Sequence, residues 1–437
     1  MGGRVTILPR RSTGARWGVL GLGFAVLAAL TAPASAQDIG QSPLAALQDY
    51  KHQAEWSDRF DATLPEVRSV NSQLPTLSPQ ALGRMQVAIE QYRTIAASGG
   101  WPQVNSPRTA LQLGARDSNV PVLRQRLAIT GDLQDRGGRQ DVYDSYVAAA
   151  VRRFQMRHGL PASGILDAPT LMAMNVPVHV RLRQLETNFN RIQEKANAGL
   201  GDRYVLVNIP AAEIEAVENG MVRSRHTAVV GKVDRPSPIL TSRVHEINFN
   251  PYWTVPVSIV RRDLIPKMQQ DPSYLANQKI RIYKWGDESR EYSYNEIDWY
   301  TDEAVDYMFR QDPGELNSLG TVKINFHNQH QVYLHDTPQK GLFGEGARFH
   351  SSGCVRVQNV RELITWLLAP NGWTRAQVDQ VIRSGERLDV PTDLKTPIMF
   401  AYITAWVNAD GVVHFRDDIY NMDGAATASL GGGATYQ

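Results

Sequence analysis

The 437-residue chain has one cysteine, Cys354. An internal disulfide is therefore excluded, and the thiol is buried, paired with another chain, or reactive. Charge of one sign is also lacking: 46 Lys and Arg stand against 44 Asp and Glu. Without a basic excess there is no nucleic-acid surface to expect. Long apolar runs are missing as well. After residue 36 nothing approaches the roughly twenty apolar residues of a membrane span. No internal repeat is present. His158 has no second His, Cys or carboxylate at metal spacing, and reads as a structural helix-end residue.

What the chain does have begins with a leader. Arg4, Arg10, Arg11 and Arg16 make a basic start, residues 17–30 an uncharged apolar core, and Ala34-Ser35-Ala36 a small-x-small cleavage site. Residues 1–36 are expected to be a signal peptide, with no stable membrane span left after cleavage. Removing its four arginines takes the net charge from +2 to −2.

Residues 37–115 read as a helical N-terminal region. Ser78-Pro79 opens a helix, Leu82, Met85, Ile89 and Tyr92 form its stripe, and Gly99-Gly100 ends it. Residues 116–178 read as a small helical bundle. Leu123 and Leu127 mark one helix, and Val147, Ala150, Val151 and Phe154 a second; Asp167 caps a third. A connecting helix is expected over 179–202. From 203 the period changes to two, with an Asn219-Gly220 hairpin turn, so 203–390 reads as a mainly β domain. Within it, 267–308 is expected to be a mostly helical insertion. A β-hairpin extension (391–423, turning at Asp410-Gly411) and a disordered Gly/Ala-rich tail (424–437) follow. The fold class is multidomain α+β: a small helical bundle plus a mainly β domain with a helical insertion.

The chemistry gathers in residues 332–359. A strand delivers His335 at its end, a glycine-rich loop follows, and Ser351-Ser352-Gly353-Cys354 precedes a helix capped by Asn359 with Glu362. A thiol needs a base within about 3 Å to act as a nucleophile. His335, nineteen residues upstream of Cys354, is preferred over His350, which rides on a glycine-flanked loop. His327 and His330 belong to a solvated strand turn. Gly353 leaves the main chain open, so amides there can approach an oxyanion. Asp336 would point away from His335 if the strand continued. Tyr333 shares a face with His335. Arg356 either binds a substrate carboxylate or locks the loop.

HDTP at 335–338 followed by SSGCVRV at 351–357 resembles the signature of the L,D-transpeptidase (YkuD-type) catalytic domain. Ser352 stands where many members carry histidine; the large periplasmic Gram-negative branch often has serine there, and the resemblance points to that branch. Residues 229–238, 248–266 and 309–320 resemble the same domain. Residues 116–178 resemble a peptidoglycan-binding domain through Phe154-Gln155, His158-Gly159-Leu160, Gly164 and Thr170-Leu171. The resemblance implies a periplasmic enzyme that forms 3-3 cross-links in peptidoglycan through a Cys354 thioester, releasing D-alanine. It implies stem peptides as donor and acceptor, carbapenem-type inhibitors, and no metal or cofactor. It places Trp253 in the cleft and gives a main-chain carbonyl of Ser351 or Ser352 the task of orienting His335. Carboxypeptidase action, lipoprotein attachment by the same chemistry, and an inactive wall-binding scaffold are the alternatives. A papain-like peptidase is disfavoured, because there Cys precedes His.

Overall fold

In the computed structural model residues 72–105, 110–134, 139–199 and 201–424 are described. The expected leader, the first part of the helical region and all but the first residue of the expected tail lie outside them. Among the described residues no helix is long and apolar enough to cross a membrane.

Five helices come first: α1 (Pro79–Ala97), α2 (Val120–Ile129), α3 (Ser145–Arg157), α4 (Ala168–Asn175) and α5 (Val178–Asn197). Three of the starts are capped by side chains. Ser78 accepts from the Ala81 N–H at 3.2 Å, and Asp144 and Asp167 cap α3 and α4 through their carboxylates. The inward stripes of α2, α3 and α4 meet in one core of Leu123, Leu127, Val147, Val151, Phe154 and Met174. Burying each of the larger side chains contributes about 1.5–3 kcal/mol.

The β region supplies β1 (Arg203–Asn208), β2 (Glu213–Glu218), β3 (Met221–Gly231), β4 (Leu240–Phe249), β5 (Trp253–Thr254), β6 (Ile280–Lys284), β7 (Asp287–Tyr292), β8 (Tyr307–Gln311), β9 (Val322–Phe326), β10 (Leu334–His335), β11 (Phe349–Ser351), β12 (Val355–Val357), β13 (Leu388–Pro391), β14 (Pro397–Ala401), β15 (Ala405–Val407) and β16 (Val413–Phe415). The main sheet runs β11-β3-β12-β10-β9-β4-β14-β1-β2, and β2 also pairs with β3, so the path closes on itself. Asn219 and Gly220 both have positive φ, as the tight β2–β3 turn requires. Alternation separates the two faces. Val205, Val207, Ile324, Phe326 and Leu334 pack with the helix Val360–Leu368, while Tyr204, Leu206 and Met399 pack under α1 and α5.

Three local readings are corrected. The insertion is not mostly helical. After a helical run at 257–270, β6, β7 and β8 join β5 in a four-stranded sheet ordered β5-β8-β6-β7. The almost wholly exposed β7, Asp-Glu-Ser-Arg-Glu-Tyr, carries no apolar alternation to betray a strand. The segment 391–423 is not only a hairpin: β14 pairs in parallel with β1, and β15–β16 alone make the hairpin. Parallel pairing over so long a separation leaves no local turn signal. Asn359 does precede the helix, but at φ 54° and with no side-chain cap.

Candidate active site

The site is assembled by register. β10 lies between β9 and β12, parallel to β12, with Leu334 opposite Val355 and His335 opposite Arg356. Tyr333 then falls opposite Cys354. Leu334, Val355 and Val357 belong to the core, so Tyr333, His335, Cys354 and Arg356 share the other face. The Tyr333 and His335 rings meet edge to face at 5.7 Å. Trp253, Tyr333, His335, His350, Cys354 and Arg356 line one cavity of about 190 Å³, and Ser351 and Ser352 reach its wall.

The turn before the thiol is fixed by Ser351. Its hydroxyl accepts the Gly353 N–H at 3.2 Å and donates to the Cys354 carbonyl at 2.5 Å. Gly353 sits at φ +112°, a conformation open to glycine, and its carbonyl accepts from Ser237 Oγ at 2.8 Å. The Gly353 amide is therefore taken. The Cys354 N–H has no partner among the described residues and is the amide left for an oxyanion.

The orienting carbonyl is not that of Ser351 or Ser352. His335 Nδ1 donates to the carbonyl of Asp336. The strand ends at His335, and the turn carries the next carbonyl round beside the ring. The Asp336 carboxylate does point away. It accepts from the Thr321 N–H and hydroxyl at 2.9 and 2.8 Å and pairs with Lys340. Gly320 makes room for it, since a Cβ there would meet Oδ2 at 2.5 Å. Ser352 has another task. Its hydroxyl accepts from Arg235 at 3.1 Å, and the same guanidinium grips Asp263 of the helical run at 257–270 through both nitrogens. The nucleophile turn is thereby tied to the segment 257–270.

Electrostatics decide the resting state. Burial, then the nearby Arg356, pushes His335 down to about 3, and the Asp336 carbonyl only partly opposes this. Its imidazole is neutral at pH 7. Because Nδ1 carries the proton given to the carbonyl, Nε2 is the free base. Burial raises the Cys354 thiol, while Tyr333, Lys323 and Arg356 pull it back down. At rest the thiol and the imidazole are thus both neutral. Burial, with Cys354 beside it, holds the Tyr333 hydroxyl well above its usual range. Arg356 is lowered to about 10 by burial; it donates to Gln339 at 2.8 Å and keeps a buried, unpartnered Nε.

The other histidines are occupied or remote. His350 Nε2 lies 2.7 Å from the Glu345 carboxylate and 2.9 Å from the Ala347 carbonyl. His330 is exposed at the cavity rim, and His327 stacks on His245 at 4.0 Å. Sequence reasoning missed Lys323, Arg235 and Asp263. The first had a signal. Val322, Ile324 and Phe326 alternate with Lys323 and Asn325, which sets Lys323 on the face of His335.

Residues 202–398 match the family model described as the L,D-transpeptidase catalytic domain, and residues 116–174 match the "Putative peptidoglycan binding domain". A Haemophilus influenzae protein named "Putative L,D-transpeptidase" is 32% identical over 220 residues, which are 50% of this chain and 44% of that protein. The match thus spans less than half of that relative's length. Among solved structures, an L,D-transpeptidase from Stackebrandtia nassauensis covers 68% of this chain and 97% of its own at 12% identity and a TM-score of 0.25. L,D-transpeptidase 3 from Mycobacterium tuberculosis, solved with a faropenem-derived adduct, covers 46% and 60% at 10% identity and a TM-score of 0.23. Residues 202–398 are thus similar to an L,D-transpeptidase catalytic domain, and residues 116–174 before them to a peptidoglycan-binding family.

Proposed function

We propose that this protein is a periplasmic L,D-transpeptidase that joins peptidoglycan stem peptides by 3-3 cross-links. The observation that carries the reading is the parallel pairing of β10 with β12, which brings His335 and Cys354 to one wall of one cavity. His335 Nε2 takes the thiol proton as sulfur attacks the carbonyl between the third stem residue and the terminal D-alanine. The oxyanion is met by the Cys354 amide. The C–N bond breaks, His335 returns its proton to the departing D-alanine nitrogen, and a thioester remains. The side-chain amine of a neighbouring stem then attacks. It gives one proton to His335, the C–S bond breaks, and the sulfur leaves with that proton.

Arg356 lines the cavity and is suited to a donor carboxylate, and Tyr333 and Trp253 to the flanks of the peptide. A strained β-lactam carbonyl offers the same sulfur an acyl group, so carbapenem capture follows from the same chemistry. Water as acceptor turns the reaction into a carboxypeptidase, and a lysine on another protein into an attachment reaction. The test is mass spectrometry of muropeptides after incubating the protein with tetrapeptide stems. A 3-3 dimer with loss of D-alanine is expected. Recovery of unaltered tetrapeptide alone refutes the reading.

A further inference from the structure

Lys323 is a charged side chain that the mechanism above leaves unused. It lies on β9, in register with His335 of β10 on one side and Asn248 of β4 on the other. Arg356 follows His335, and Asp389 follows Asn248. One row across the sheet therefore reads Arg356, His335, Lys323, Asn248, Asp389. The imidazole sits between two cations.

The ammonium has a defined place. Lys323 Nζ is 4.5 Å from the centre of the Tyr333 ring, and Tyr333 is the residue opposite Cys354. Among the described residues Lys323 forms no ion pair with a carboxylate. The groups facing it are Glu246 and Asp389 from β4 and β13, His335 from β10, and the thiol. Burial lowers the Lys323 ammonium, and Cys354 is the foremost charge holding it up, ahead of Glu246 and Asp389.

The chemistry needs such a charge. Thiol and imidazole start neutral, so attack creates a negative sulfur and then a negative oxygen in a half-buried cleft. A fixed cation nearby lowers the cost of both. It also disfavours a lasting imidazolium, which urges the proton on to the leaving nitrogen. Arg356 lines the cavity and is open to substrate. Lys323 does not line it, and so acts through its field without touching substrate.

We propose that Lys323 is an electrostatic positioning residue that favours negative charge on Cys354 as the reaction begins. This deepens the proposed function but rests only on the thiol being the reacting atom. The test is the pH dependence of Cys354 alkylation by iodoacetamide in the full chain, in which sulfur bonds to carbon and iodide leaves with its electron pair. Lys323→Met is expected to move the midpoint up by about one unit. Alkylation at pH 7 then falls about tenfold, with rates converging at high pH. Lys323→Arg should restore the wild-type profile. Lys323→Gln replaces the Met variant should that one fail to fold. An unmoved midpoint overturns the proposal. So does an Arg variant as impaired as Met, or an equal loss at every pH, since either marks a structural role. Failure of the wild type on stem peptides, with the alkylation shift present, would refute the transpeptidase reading and leave this one standing.

Discussion

At the seam between α3 and the β15–β16 hairpin, one buried cation is matched by a carboxylate and its neighbours by carbonyls and aromatic rings. Arg157 holds Asp132 through two nitrogens at 2.7 and 2.6 Å and donates to the Val413 carbonyl at 3.3 Å. Arg126 donates to Met174 and lies 4.0 Å from the Trp101 ring, and Arg181 stands 4.6 Å from Phe415. His158 stacks on Phe154 and Phe415. In the cleft, Arg356 has Gln339 as its one hydrogen-bond partner among the described residues, and Lys323 has the Tyr333 ring. At the seam the Arg157 charge is neutralised by Asp132 where two parts of the chain join. The cleft leaves its charges incomplete, to be matched by the negative charge that a reaction generates. Breaking a seam cation should therefore cost stability, whereas breaking a cleft group should cost rate.

The largest effect belongs to the sulfur. Cys354→Ser should abolish cross-linking and leave the thermal midpoint nearly unchanged, because a neutral imidazole that titrates at about 3 cannot ionise a hydroxyl. Turnover near the wild-type rate would refute Cys354 as nucleophile. His335→Ala comes next, with an expected loss of about 10²–10⁴ in acylation rate. His350→Ala should lose less than about tenfold, since that side chain is engaged by Glu345. The reverse ranking would give the base to His350.

The seam then supplies the contrast. Arg157→Met strands a carboxylate that is only 4% exposed, which should destabilise the fold by about 3–5 kcal/mol. Urea unfolding measures this, and the acylation rate per folded molecule should stay within about twofold. A rate loss without a stability loss would erase the distinction between the two regions.

The catalytic pair was legible because it lies within one short motif in which strand, loop, glycine and helix each carry a local signal. The rest of the cleft was not, because it depends on which strands become neighbours. Arg235, Asp263 and Lys323 reach the site from three separate elements, and only pairing brings them to it. The choice of Asp336 as orienting carbonyl depends on how the turn after His335 carries the next carbonyl back beside the ring. The occupied Gly353 amide follows from a Ser351 rotamer that no spacing reveals. The stripes of α2 and α3 and the Asp167 cap of α4 were readable, since they are local. The parallel β14 and the polar β7 were not, for lack of any local turn or alternation.

Acid unfolding sharpens the comparison further. His335 and His226 titrate at about 3 and about 4 in the fold, with His158 and His414 also well below their usual value, each mainly through burial. Unfolded, all should titrate near 6.5. Above that pH neither state is protonated and these groups contribute no slope. As pH falls below 6.5 the unfolded chain takes up protons that the fold refuses, so stability is lost toward pH 4. The loss is about 1.4 kcal/mol per unit for each histidine. His414 stacks on Trp406 with both ring nitrogens unpartnered. His414→Phe should therefore flatten the slope by about one proton. A slope unchanged in that variant would mean that the seam does not exclude the proton.

The smallest expected effect concerns the bundle. Removing it outright is not a clean test. Met85, Ile89 and Tyr92 of α1 share a core with Tyr204 and Met399 of the main sheet, and Arg157 and Arg416 link the bundle to the hairpin. Deleting 37–178 would expose that core and unfold what it was meant to isolate. A surface change avoids the difficulty. Arg152 is exposed on α3 and lines a groove of about 1050 Å³ between α1, α3 and the turn at Asp410-Gly411. It is absent from the walls of the Cys354 cavity. If the bundle holds wall polymer, Arg152→Ala should weaken retention on sacculi and raise the apparent KM on polymer. Acylation of Cys354 by a small β-lactam should stay within about twofold, because binding energy lost equally from ground and transition states leaves the chemical barrier alone. There is one route by which this could fail. Pro161, in the loop after α3, stands 3.3 Å from where a Cβ of Gly346 would be, and Gly346 belongs to the loop that leads into β11, the strand that carries His350. A hundredfold slower acylation in the Arg152 variant would mean that this contact transmits the bundle's state to the cleft, and that the two regions are one machine.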